Sequence, residues 1–497
     1  MEEETLFQKP AVNQNQGNTP PVESSVPFNP SPPPPPPPVV DNPPLIVPPP
    51  PPPPHRNGLF SSLMSGKLIK ILLGFLVMAA IFALIFTVIL PKLRGEENKQ
   101  VTLTYWGLWE DEGIMQSVIK DFETKNPNIK INYSKQDIKQ YRERLQTRIA
   151  NGTGPDIFKF HNTWYLMLSS DLLPLPTEVI TRNEFTNRFY NVARDDLIKN
   201  GAIYGVPSNM DTLSLFVNTG KLQAGGYEIP ATWNDFISVA SSLTVKNSEE
   251  QIETSGAAIG TFENISHAPD IISLLFAQNG VDLQNIQRSE QRVADALNFY
   301  TDFANGEDNI WNSSLDSSIL AFSQGNVAMI FGYSWDYFTI KALNPDLNFQ
   351  IASVPQLSTE TSKNIASYWA DGISSKSKNQ KEALLFLKFL TSQESQQKLY
   401  TEESKTREFG ELYADRGLAA TLESSQNVSV FVKQAETAVS SYFVDSTYDG
   451  GLNEKLNNYL KDAVNSTLNS SSAQSATSAL FEGASQVMSQ YDGQNKK

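Results

Sequence analysis

An uninterrupted apolar stretch, Ile71–Leu90, constrains the structure of this chain more than any other feature of its sequence. The stretch contains no charged residue, and as a helix it would rise about 30 Å, which is the thickness of the hydrocarbon core of a bilayer. Basic residues suited to the membrane interface flank it on both sides, at Lys67, Lys70, Lys92 and Arg94. The sequence therefore predicts a transmembrane anchor over residues 67–94, with a single membrane-spanning helix.

A cleaved signal peptide is the alternative interpretation of this stretch, because it too combines a basic flank with an apolar core. The apolar core of a signal peptide is about 7–15 residues long, and no small-residue cleavage site follows Leu90. The sequence contains no cysteine, which excludes cleavage of the lipoprotein type with a lipid on the new N-terminus. We therefore expect an uncleaved anchor, while the balanced charges on its two sides leave its orientation open.

Residues 1–66 are expected to form a disordered tail. They contain two proline runs, Pro32–Pro38 and Pro48–Pro54, among scattered Ser, Asn and Gln. Such a segment buries too little apolar surface to offset its chain entropy, so it stays extended, partly as polyproline II. It would serve either as a ligand for an SH3-like or WW-like partner or as a solvated spacer, and the low complexity of the runs favours the spacer.

The charge balance and the absence of cysteine exclude several classes of function. The chain carries 54 Asp plus Glu against 39 Lys plus Arg and has no basic stripe, so nucleic acid is not an expected partner. The histidines, His55, His161 and His267, are far apart and show no metal-ligand spacing. The segment Asp445–Gly450 (DSTYDG) resembles a calcium loop only faintly, because its oxygen ligands do not alternate. We therefore expect no cofactor and no metal site.

Beyond the anchor, residues 101–497 are too many for one small core and predict two lobes. The first lobe begins with Val101–Tyr105 (strand), Glu112–Lys125 (helix), Ile129–Tyr133 (strand), Asp137–Ala150 (helix) and Asp156–Phe160 (strand). This order predicts the α/β fold class and a parallel sheet with right-handed crossovers. Later strands are predicted at Leu213–Val217 and Val327–Phe331, and later helices at Gln380–Leu390, Leu452–Val464 and Ala473–Met488.

Two aromatic loops follow the predicted strands of the first lobe. Trp106 to Glu110 come after the first strand, and His161 to Trp164 come after the third. Because ligands of open α/β sheets bind at the carboxyl ends of the strands, we expect both loops to face the same crevice.

Five stretches, taken in order, resemble motifs of one protein family. They are Leu145–Phe160 (LQTRIANGTGPDIFKF), Gly201–Asn218 (GAIYGVPSNMDTLSLFVN), Pro230–Phe236 (PATWNDF), Ala321–Trp335 (AFSQGNVAMIFGYSW) and Ser367–Leu390 (SYWADGISSKSKNQKEALLFLKFL). Together they extend over nearly all of residues 101–490. In this order they are similar to the bacterial extracellular solute-binding proteins of the sugar type, the receptors of ABC importers in the superfamily of maltose-binding protein.

The resemblance implies a two-lobed periplasmic-binding-protein-like fold, in which crossing segments form a hinge and the lobes close over a ligand. One lobe would comprise about residues 101–211 and 366–412, and the other about 212–365 and 413–490. The resemblance also implies that the solute-binding domain, residues 95–497, is extracytoplasmic and that the tail is cytoplasmic. The function it implies is delivery of a sugar or oligosaccharide to ABC permease subunits, by a protein that is not an enzyme.

The chemistry of sugar recognition decides which residue types are candidates. A sugar ring packs the C–H groups of one face against an aromatic side chain, and its hydroxyls bond to carboxylates, amides and indole N–H groups. The predicted ligand contacts are Trp106, Trp109, Glu110, His161, Asn162, Trp164, Asp211, Tyr333, Trp335, Asp336, Trp369 and Asp371. Trp335 is the first choice for the stacking aromatic that the family implies, and Asp211 lies where the family's hinge places a polar contact. Trp233 and Trp311 are expected in the core or on its surface.

Two further functions stay open on the sequence alone. A glycoside hydrolase needs a pair of carboxylates, for which the candidates are Glu110, Asp111, Asp156, Asp211, Asp336 and Asp371. A sensor would use the same ligand-binding domain to signal to a membrane partner instead of a permease, with the proline-rich tail as one route to that partner.

Overall fold

The computed structural model describes residues 66–85, 87, 100–357, 361–444, 447–469 and 471–492. The proline-rich tail and the basic residues Lys92 and Arg94 lie outside the described residues. The chain divides into two units, Met1–Ala83 and Leu84–Lys497.

Helix α1, Gly66–Leu84, is the described element of the N-terminal part of the chain. Large apolar side chains on it are exposed, among them Leu73, Phe75 and Phe82, with accessibilities of 63%, 69% and 66%. The predicted span Ile71–Leu90 extends past this helix into positions that are not described. Among the described residues, no helix combines the length and the apolar character needed to cross a membrane.

The second unit alternates strands and helices. Its strands are β1 Val101–Gly107, β2 Ile129–Lys135, β3 Ile157–His161, β4 Ile198–Lys199, β5 Ala202–Ile203, β6 Val206–Pro207, β7 Asp211–Thr212, β8 Ser214–Asn218, β9 Val245–Lys246, β10 Ile252–Ala257, β11 Val327–Gly332, β12 Phe349–Ala352, β13 Asn364–Ser367, β14 Trp369–Ile373 and β15 Ala438–Val439. Its helices are α2 Glu112–Lys125, α3 Tyr141–Ala150, α4 Tyr165–Leu168, α5 Arg182–Arg188, α6 Asn191–Leu197, α7 Thr219–Gly225, α8 Trp233–Leu243, α9 Ala268–Gln278, α10 Glu290–Asp302, α11 Ser318–Ser323, α12 Ser334–Leu343, α13 Gln380–Leu390, α14 Gln393–Glu403, α15 Arg416–Ala419, α16 Ser429–Gln434, α17 Leu452–Leu468 and α18 Ala473–Asp492.

The first lobe is built on a five-stranded sheet with the order β2-β1-β3-β14-β6. Strand β1 is parallel to β2 and to β3, with Tyr105 opposite Tyr133 on one side and Ile157 on the other. The predicted parallel arrangement of these three strands is therefore confirmed. Strand β14 runs antiparallel to β3 and β6, so the whole sheet is mixed. This pairing places Trp369 opposite His161, at the end of β3.

The second lobe is built on a five-stranded sheet with the order β12-β8-β11-β10-β9. Strand β8 lies antiparallel between β12 and β11, and β10 is parallel to β11. Strands β8 and β11 are buried along their whole length, as expected for central strands of an α/β sheet. Strand β11 ends at Gly332, and α12 begins at Ser334. The predicted contacts Tyr333, Trp335 and Asp336 therefore lie at the carboxyl end of a central strand.

The chain crosses between the two sheets in more than one place. It runs from β6 through β7 into β8, and it returns through β13 into β14. Strands β7 and β13 are antiparallel, with Asp211 opposite Ser367, and β15 pairs in parallel with β13. The resulting small sheet, in the order β15-β13-β7, lies where the chain passes from one lobe to the other. This is the place where a hinge between lobes is expected.

Helix α2 shows why predicted helices form where they do. Its buried residues, Met115, Val118, Ile119 and Phe122, recur at positions i, i+3, i+4 and i+7 and so share one face. Phe122 packs against Phe386 of α13, with ring centroids 4.9 Å apart. The bounds of α2 and α13 agree with the sequence prediction, and the predicted strands agree with the observed ones to within two residues at each end.

Helix α3 differs from its prediction at the N-terminus. It begins at Tyr141 instead of Asp137, because Gln140 adopts a left-handed conformation with φ 55°. The carboxylate of Asp137 instead accepts the backbone N–H of Lys139 at 2.8 Å and closes a turn. The C-terminal helices also differ, since both run longer than predicted. Helices α17 and α18 pack on each other and on α10 of the second lobe, and α18 also contacts α4 of the first lobe.

Candidate functional site

An aromatic cluster lies where β3 and β14 pair in the first lobe. The ring centroid of Trp369 is 5.4 Å from that of Trp109 and 5.2 Å from that of Trp164. The ring of His161 is also 5.2 Å from Trp369. These contacts are edge-to-face, an arrangement that aromatic rings favour. Trp164 and Trp369 are buried, whereas Trp109 is 37% exposed, so Trp109 is the tryptophan of this cluster that is accessible to a solute.

Tyr141, the first residue of α3, extends this cluster. Its ring centroid lies 6.3 Å from that of Trp106 and 6.1 Å from that of Trp164. Its hydroxyl donates to the carbonyl oxygen of Lys159 at 2.9 Å. Trp106 itself is half-buried. The structure therefore brings the predicted aromatic contacts at the ends of β1 and β3 into one group, namely Trp106, Trp109, His161 and Trp164.

A buried ion cluster contains two of the predicted ligand contacts, Glu110 and Asp371. The ammonium of Lys159 lies 2.9 Å from Glu110 Oε1 and 3.7 Å from Asp371 Oδ2, and it donates to Ser208 Oγ at 2.9 Å. The hydroxyl of Tyr105 donates to Asp371 Oδ1 at 2.8 Å. Burial by itself would lower the pKa of Lys159, but the charges of Asp371 and Glu110 outweigh burial and raise that pKa. The lysine is therefore charged.

The second lobe contributes a stacked aromatic pair at the end of β11. The rings of Tyr333 and Trp335 are stacked with centroids 4.4 Å apart. The hydroxyl of Tyr333 donates to Asp270 Oδ1 at 2.6 Å, and its backbone N–H donates to Asp336 Oδ2 at 2.8 Å. His267 Nε2 lies 2.8 Å from the same oxygen of Asp336. Tyr333 and Asp336 are buried, and Trp335 is half-buried.

Asp211 lies at the crossover between the lobes, as the resemblance implies, and its carboxylate bonds to protein groups. Its Oδ2 accepts the backbone N–H of Ser334 at 3.0 Å and also the hydroxyl of that serine. Its Oδ1 accepts the backbone N–H of Thr212 at 2.7 Å. Burial raises the pKa of Asp211 to about 7 against the lowering effect of these hydrogen bonds. Asp211 thereby connects the crossing strand β7 to the start of α12.

Asn162 belongs to a second hydrogen-bond network at the crossing segments. Its amide donates to Asp196 Oδ2 at 3.1 Å and to Ser440 Oγ at 2.8 Å. The hydroxyl of Tyr368 donates to the same oxygen of Asp196 at 2.8 Å. Burial raises the pKa of Asp196, and these donors counteract the shift. Asn162 thus connects the end of β3 to the segment that carries β15.

The twelve predicted contacts differ in their accessibility. Trp109 is exposed, and Trp106 and Trp335 are half-buried. The others are buried, namely Glu110, His161, Asn162, Trp164, Asp211, Tyr333, Asp336, Trp369 and Asp371. Whether any of the twelve touches a ligand stays a prediction. Trp233 and Trp311 are buried, which confirms their expected place in the core.

A cavity of about 790 Å³ lies between α3, the loop after β10 and the start of α17. Two aromatic residues line it, Phe262 and Tyr448. Phe262 is half-buried, and Tyr448 is 63% exposed, so both rings have accessible surface. Sequence analysis did not identify this cavity, because its lining comes from segments that are far apart along the chain.

Amide side chains line the same cavity at Gln140, Asn457 and Asn458. The Oδ1 atom of Asn457 is buried and accepts no hydrogen bond from the part of the chain that is described. A buried polar atom without a partner costs free energy, which a ligand hydroxyl or a water recovers. The charged lining residues balance, since they are Lys139, Lys461, Glu143 and Glu454.

The first turn of α17 is held in place against α3. Arg142 Nε donates to the carbonyl oxygen of Asp449 at 2.9 Å. The carboxylate of Asp449 accepts the backbone N–H of Gly451 at 2.8 Å and that of Asn453 at 3.0 Å. These bonds satisfy amide groups that a helix N-terminus leaves free. The wall of the cavity formed by α17 is therefore hydrogen-bonded to α3 through Arg142.

The segment DSTYDG was the one sequence signal near this cavity, since it contains Tyr448 and Asp449. Asp445 and Ser446 lie outside the described residues. Within the described part of the chain, no group of three or more His, Cys, Asp or Glu side chains is placed to hold a metal ion. Asp449 acts instead as the cap of α17.

Glu403, in α14, makes the stability of the fold depend on pH. The residue is buried, and its Oε2 accepts the backbone N–H of Glu411 at 2.6 Å and lies 3.1 Å from Arg407 Nη2. Burial, with the charges of Glu411 and Glu110, raises the pKa of Glu403 to about 7. The folded state therefore binds this proton more tightly than the unfolded state. The contribution to stability is complete below the unfolded pKa of about 4.3 and is lost as pH rises through about 7.

We expect the substitution Glu403→Gln to stabilise the chain at pH 8 by about 2–3 kcal/mol and to flatten its pH dependence between pH 5 and 8. Gln retains the oxygen that accepts the N–H of Glu411 and removes the ionisable group. Urea unfolding of the full-length chain at several pH values measures the effect. Glu402→Gln, at a neighbouring partly exposed glutamate paired with Lys405, is the control. A Glu403→Gln profile parallel to the wild-type profile would contradict the assignment.

Comparison with known proteins gives matches over most of the second unit. The profile of the family described as "Bacterial extracellular solute-binding protein" matches residues 107–397. The curated "Multiple sugar-binding protein" of Streptococcus mutans serotype c is 24% identical over 328 residues, which cover 62% of this chain and 76% of that protein.

Two solved structures share the two-lobed α/β fold. One is a cyclo/maltodextrin-binding protein complexed with maltotetraose, with a TM-score of 0.64 and 18% identity, covering 78% of this chain and 96% of that chain. The other is the sugar-binding protein MalE from the phytopathogen Xanthomonas citri, with a TM-score of 0.65 and 18% identity, covering 80% of this chain and 99% of that chain. At this level of sequence identity, the similarity shows a shared fold.

Proposed function

The chain belongs to the family of bacterial extracellular solute-binding proteins, and from this premise we propose that it captures a sugar or oligosaccharide between its two lobes and delivers it to an ABC permease. The curated relative is named for sugars, and both solved structures are described as sugar or maltodextrin binders. These names support a carbohydrate over other solutes. Covalent chemistry on the solute is not part of the proposal.

The observation that carries the proposal is the cavity between α3, the loop after β10 and α17. The rings of Phe262 and Tyr448 suit the C–H face of a sugar, and the amides beside them suit its hydroxyls. Two lysines and two glutamates leave the lining without net charge, which favours an uncharged solute. The volume of about 790 Å³ lies within the range of about 300–1,000 Å³ usual for small-molecule sites.

Closure of the two lobes is the proposed mechanism of capture. The lobes comprise about residues 101–211 with 366–412 and about residues 212–365 with 413–490, and the small sheet β15-β13-β7 serves as the hinge. A ligand that binds the closed arrangement more tightly than the open one shifts the population towards closure. Lining residues from α3 on one side and from the loop after β10 on the other support this mechanism, because closure brings them together.

The predicted contacts take two roles in this proposal. Trp106, Trp109 and Trp335 have accessible surface, and we assign them to further contacts with the sugar. The nine buried residues are assigned to supporting these rings. Trp369 illustrates the second role, because it packs edge-to-face on Trp109.

Membrane anchoring is a further part of the proposal. The uncharged stretch Ile71–Leu90 with its basic flanks supports an uncleaved anchor, and membership of an extracellular family supports a cytoplasmic N-terminus with the solute-binding domain outside. We expect the full-length chain to stay in the membrane pellet after a sodium carbonate wash and a variant lacking residues 71–90 to be released. Wild-type chain in the supernatant would contradict the anchor.

Thermal unfolding of the full-length chain tests the proposed solute class. The panel contains maltotetraose, other mono- and oligosaccharides, amino acids and polyamines. A ligand at a hundred times its dissociation constant adds about 2.7 kcal/mol to the free energy of unfolding and raises the thermal midpoint. We expect at least one sugar to raise the midpoint and to be recovered chemically intact.

Other outcomes of the same panel decide between the alternatives. Stabilisation by an amino acid or polyamine, with none by any sugar, would contradict the carbohydrate assignment. Recovery of cleaved sugar would establish the glycoside hydrolase in its place. Co-purification of the chain with a kinase or chemoreceptor, without permease subunits, would favour the sensor.

A further inference from the structure

A buried chain of hydrogen bonds connects the hinge strand β13 to the first turn of α17. Asn453 Nδ2 donates to Thr163 Oγ1 at 2.9 Å. Thr163 Oγ1 lies 2.8 Å from His161 Nδ1, and His161 Nε2 lies 3.1 Å from Ser367 Oγ. All four side chains are buried, so water does not compete for these bonds. Such bonds are strong and strictly oriented in a low dielectric.

The surrounding groups fix the direction of donation along this chain. The amide of Asn453 also donates to the carbonyl oxygen of Tyr442 at 2.9 Å, and because a carbonyl only accepts, this atom is the nitrogen. Thr163 Oγ1 therefore accepts from Asn453. His161 Nδ1 accepts the backbone N–H of Thr163 at 3.4 Å, so this nitrogen carries the lone pair of the ring, and the hydroxyl of Thr163 donates its proton to it. The imidazole proton consequently resides on Nε2 and is donated to Ser367.

His161 is held in this tautomer at physiological pH. Burial lowers the pKa of His161 to about 3, so the ring is neutral. A neutral imidazole has one donor and one acceptor nitrogen. The other tautomer would set the Nδ1–H group against the N–H of Thr163 and would leave Ser367 without its donor. The ring therefore acts as a fixed connector between its two neighbours.

The two ends of this hydrogen-bond chain lie at the hinge and at the cavity. Ser367 stands opposite Asp211 in the β13–β7 pair, and Asp211 accepts the backbone N–H of Ser334 at the start of α12 in the second lobe. Asn453 lies in the first turn of α17, beside the cavity-lining residue Glu454. The chain thus joins the place where the lobes are connected to the wall of the cavity.

We propose that His161 is a positioning residue. It holds the cavity-lining first turn of α17 in a fixed position relative to the crossing strand β13, so that a movement of the hinge also moves the wall of the cavity. His161 does this without touching the ligand. This inference rests on the proposed function, since it takes the cavity as the ligand site. The sequence predicts a ligand contact for this histidine, whereas this inference has it act on the site through Thr163 and Asn453.

The substitution Ser367→Ala tests the proposal, because it removes the last hydrogen-bond partner of this network and leaves the residues of α17 unchanged. In the full-length chain, we expect hydrogen–deuterium exchange of the amides in residues 452–458 to accelerate about fivefold, as for the loss of one hydrogen bond. Thr163→Val removes the bond to Asn453 and is expected to accelerate the same amides at least as much.

Ser255→Ala is the matched control for these variants. It removes a buried serine hydroxyl of β10, which donates to the carbonyl oxygens of Ala257 and Ile310, and it should leave exchange in residues 452–458 unchanged. The nitrogen-15 NMR shifts of the His161 ring report its tautomer, and a loss of stability alone would not change them. We expect a single Nε2–H tautomer in the wild type and a mixture of tautomers in Ser367→Ala.

Either of two results would overturn the proposal, namely unchanged exchange at residues 452–458 in Ser367→Ala or a proton on Nδ1 in the wild type. Both readouts are obtained without ligand. Failure of the proposed function would appear differently, as wild-type chain that binds no sugar. With maltotetraose as the probe, Ser367→Ala is expected to weaken binding about fivefold, and unchanged affinity in this variant would also count against the proposal.

Discussion

Replacing Lys159 with methionine is expected to destabilise the chain by about 3–5 kcal/mol, the cost of removing one partner from a buried ion cluster. The side chain of Lys159 is 3% exposed and lies 2.9 Å from Glu110 and 3.7 Å from Asp371. Burial raises the pKa of Asp371, and the charge of Lys159 counteracts that shift. Without the lysine, two buried carboxylates must take up protons or admit water. Urea unfolding of the full-length chain at pH 8 measures the loss.

Two further variants make this experiment decisive. Lys405→Met removes an ion pair with Glu402 in which the lysine is 61% exposed, and it is expected to cost less than about 1 kcal/mol. Combining Lys159→Met with Glu110→Gln and Asp371→Asn removes the unpaired charges and is expected to recover at least half of the lost stability. A loss below about 1 kcal/mol in Lys159→Met alone would contradict this description of the cluster.

The ion cluster also bears on the candidate site, because it supports the aromatic rings. Lys159 donates to Ser208 Oγ at 2.9 Å, and Ser208 in turn donates from Oγ and from its backbone N–H to the carbonyl oxygen of Trp369 at 3.0 and 2.9 Å. The N–H of Trp369 donates to Asn209 Oδ1 at 2.8 Å. The backbone of Trp369 is therefore fixed from both sides, and Trp109 packs on its ring.

The double variant Phe262→Ala with Tyr448→Ala is expected to weaken sugar affinity about a hundredfold, as for the loss of two aromatic contacts at the centre of a binding site. Tyr448 is 63% exposed, and Phe262 is half-buried where it packs on the edge of the core, so the double substitution leaves the fully buried core residues in place. We therefore expect the chain to stay folded, with a modest drop in the thermal midpoint without ligand. Calorimetric titration of the full-length chain with the sugar found in the thermal panel measures the affinity.

Two comparison variants locate the site. Leu343→Ala removes a half-exposed apolar side chain at the end of α12 and should leave affinity unchanged. Trp335→Ala removes the stacking aromatic predicted from the sequence. If Trp335→Ala abolishes binding while the double variant binds as the wild type does, the sugar lies at the end of β11 and not in the cavity of about 790 Å³.

The periodicity of apolar residues predicted those helices and strands whose buried face follows from the residue spacing within the element itself. Helices α2 and α13 carry apolar residues at helical spacing, and strands β1 and β2 alternate apolar with polar residues, so their positions follow from the pattern. The start of α3 did not follow from the pattern, because it depends on the left-handed conformation of Gln140 and the turn at Asp137. Such turn chemistry is not visible in hydrophobic spacing.

The tryptophans show why the site itself was harder to predict. Trp109, Trp164 and Trp369 all follow or begin strands at one sheet edge, yet Trp109 is accessible while the other two are buried. A large aromatic side chain gains about as much free energy when it is buried against neighbouring side chains as when it is buried against a ligand. Sequence spacing places these residues at the edge of the sheet, whereas only tertiary packing decides which of them remain accessible.

The cavity was beyond sequence analysis for a different reason. Its lining residues from α3 and α17, such as Glu143 and Asn457, are polar residues on helices, and polar residues on a helix are usually the solvated face. Tyr448 stands alone in a polar segment. No single segment carries a motif for the cavity, because three distant parts of the chain form it together.

The distance between the two lobes, with and without sugar, tests the central claim most directly. The sequence has no cysteine, so cysteines introduced at Lys135 in β2 and at Glu263 in the loop after β10 carry spin labels at two chosen, exposed positions. If the lobes close over the solute, adding the stabilising sugar to the full-length chain shortens the mean label distance, with half of the change at the calorimetric dissociation constant. A sugar that binds while this distance stays constant would contradict capture by closure.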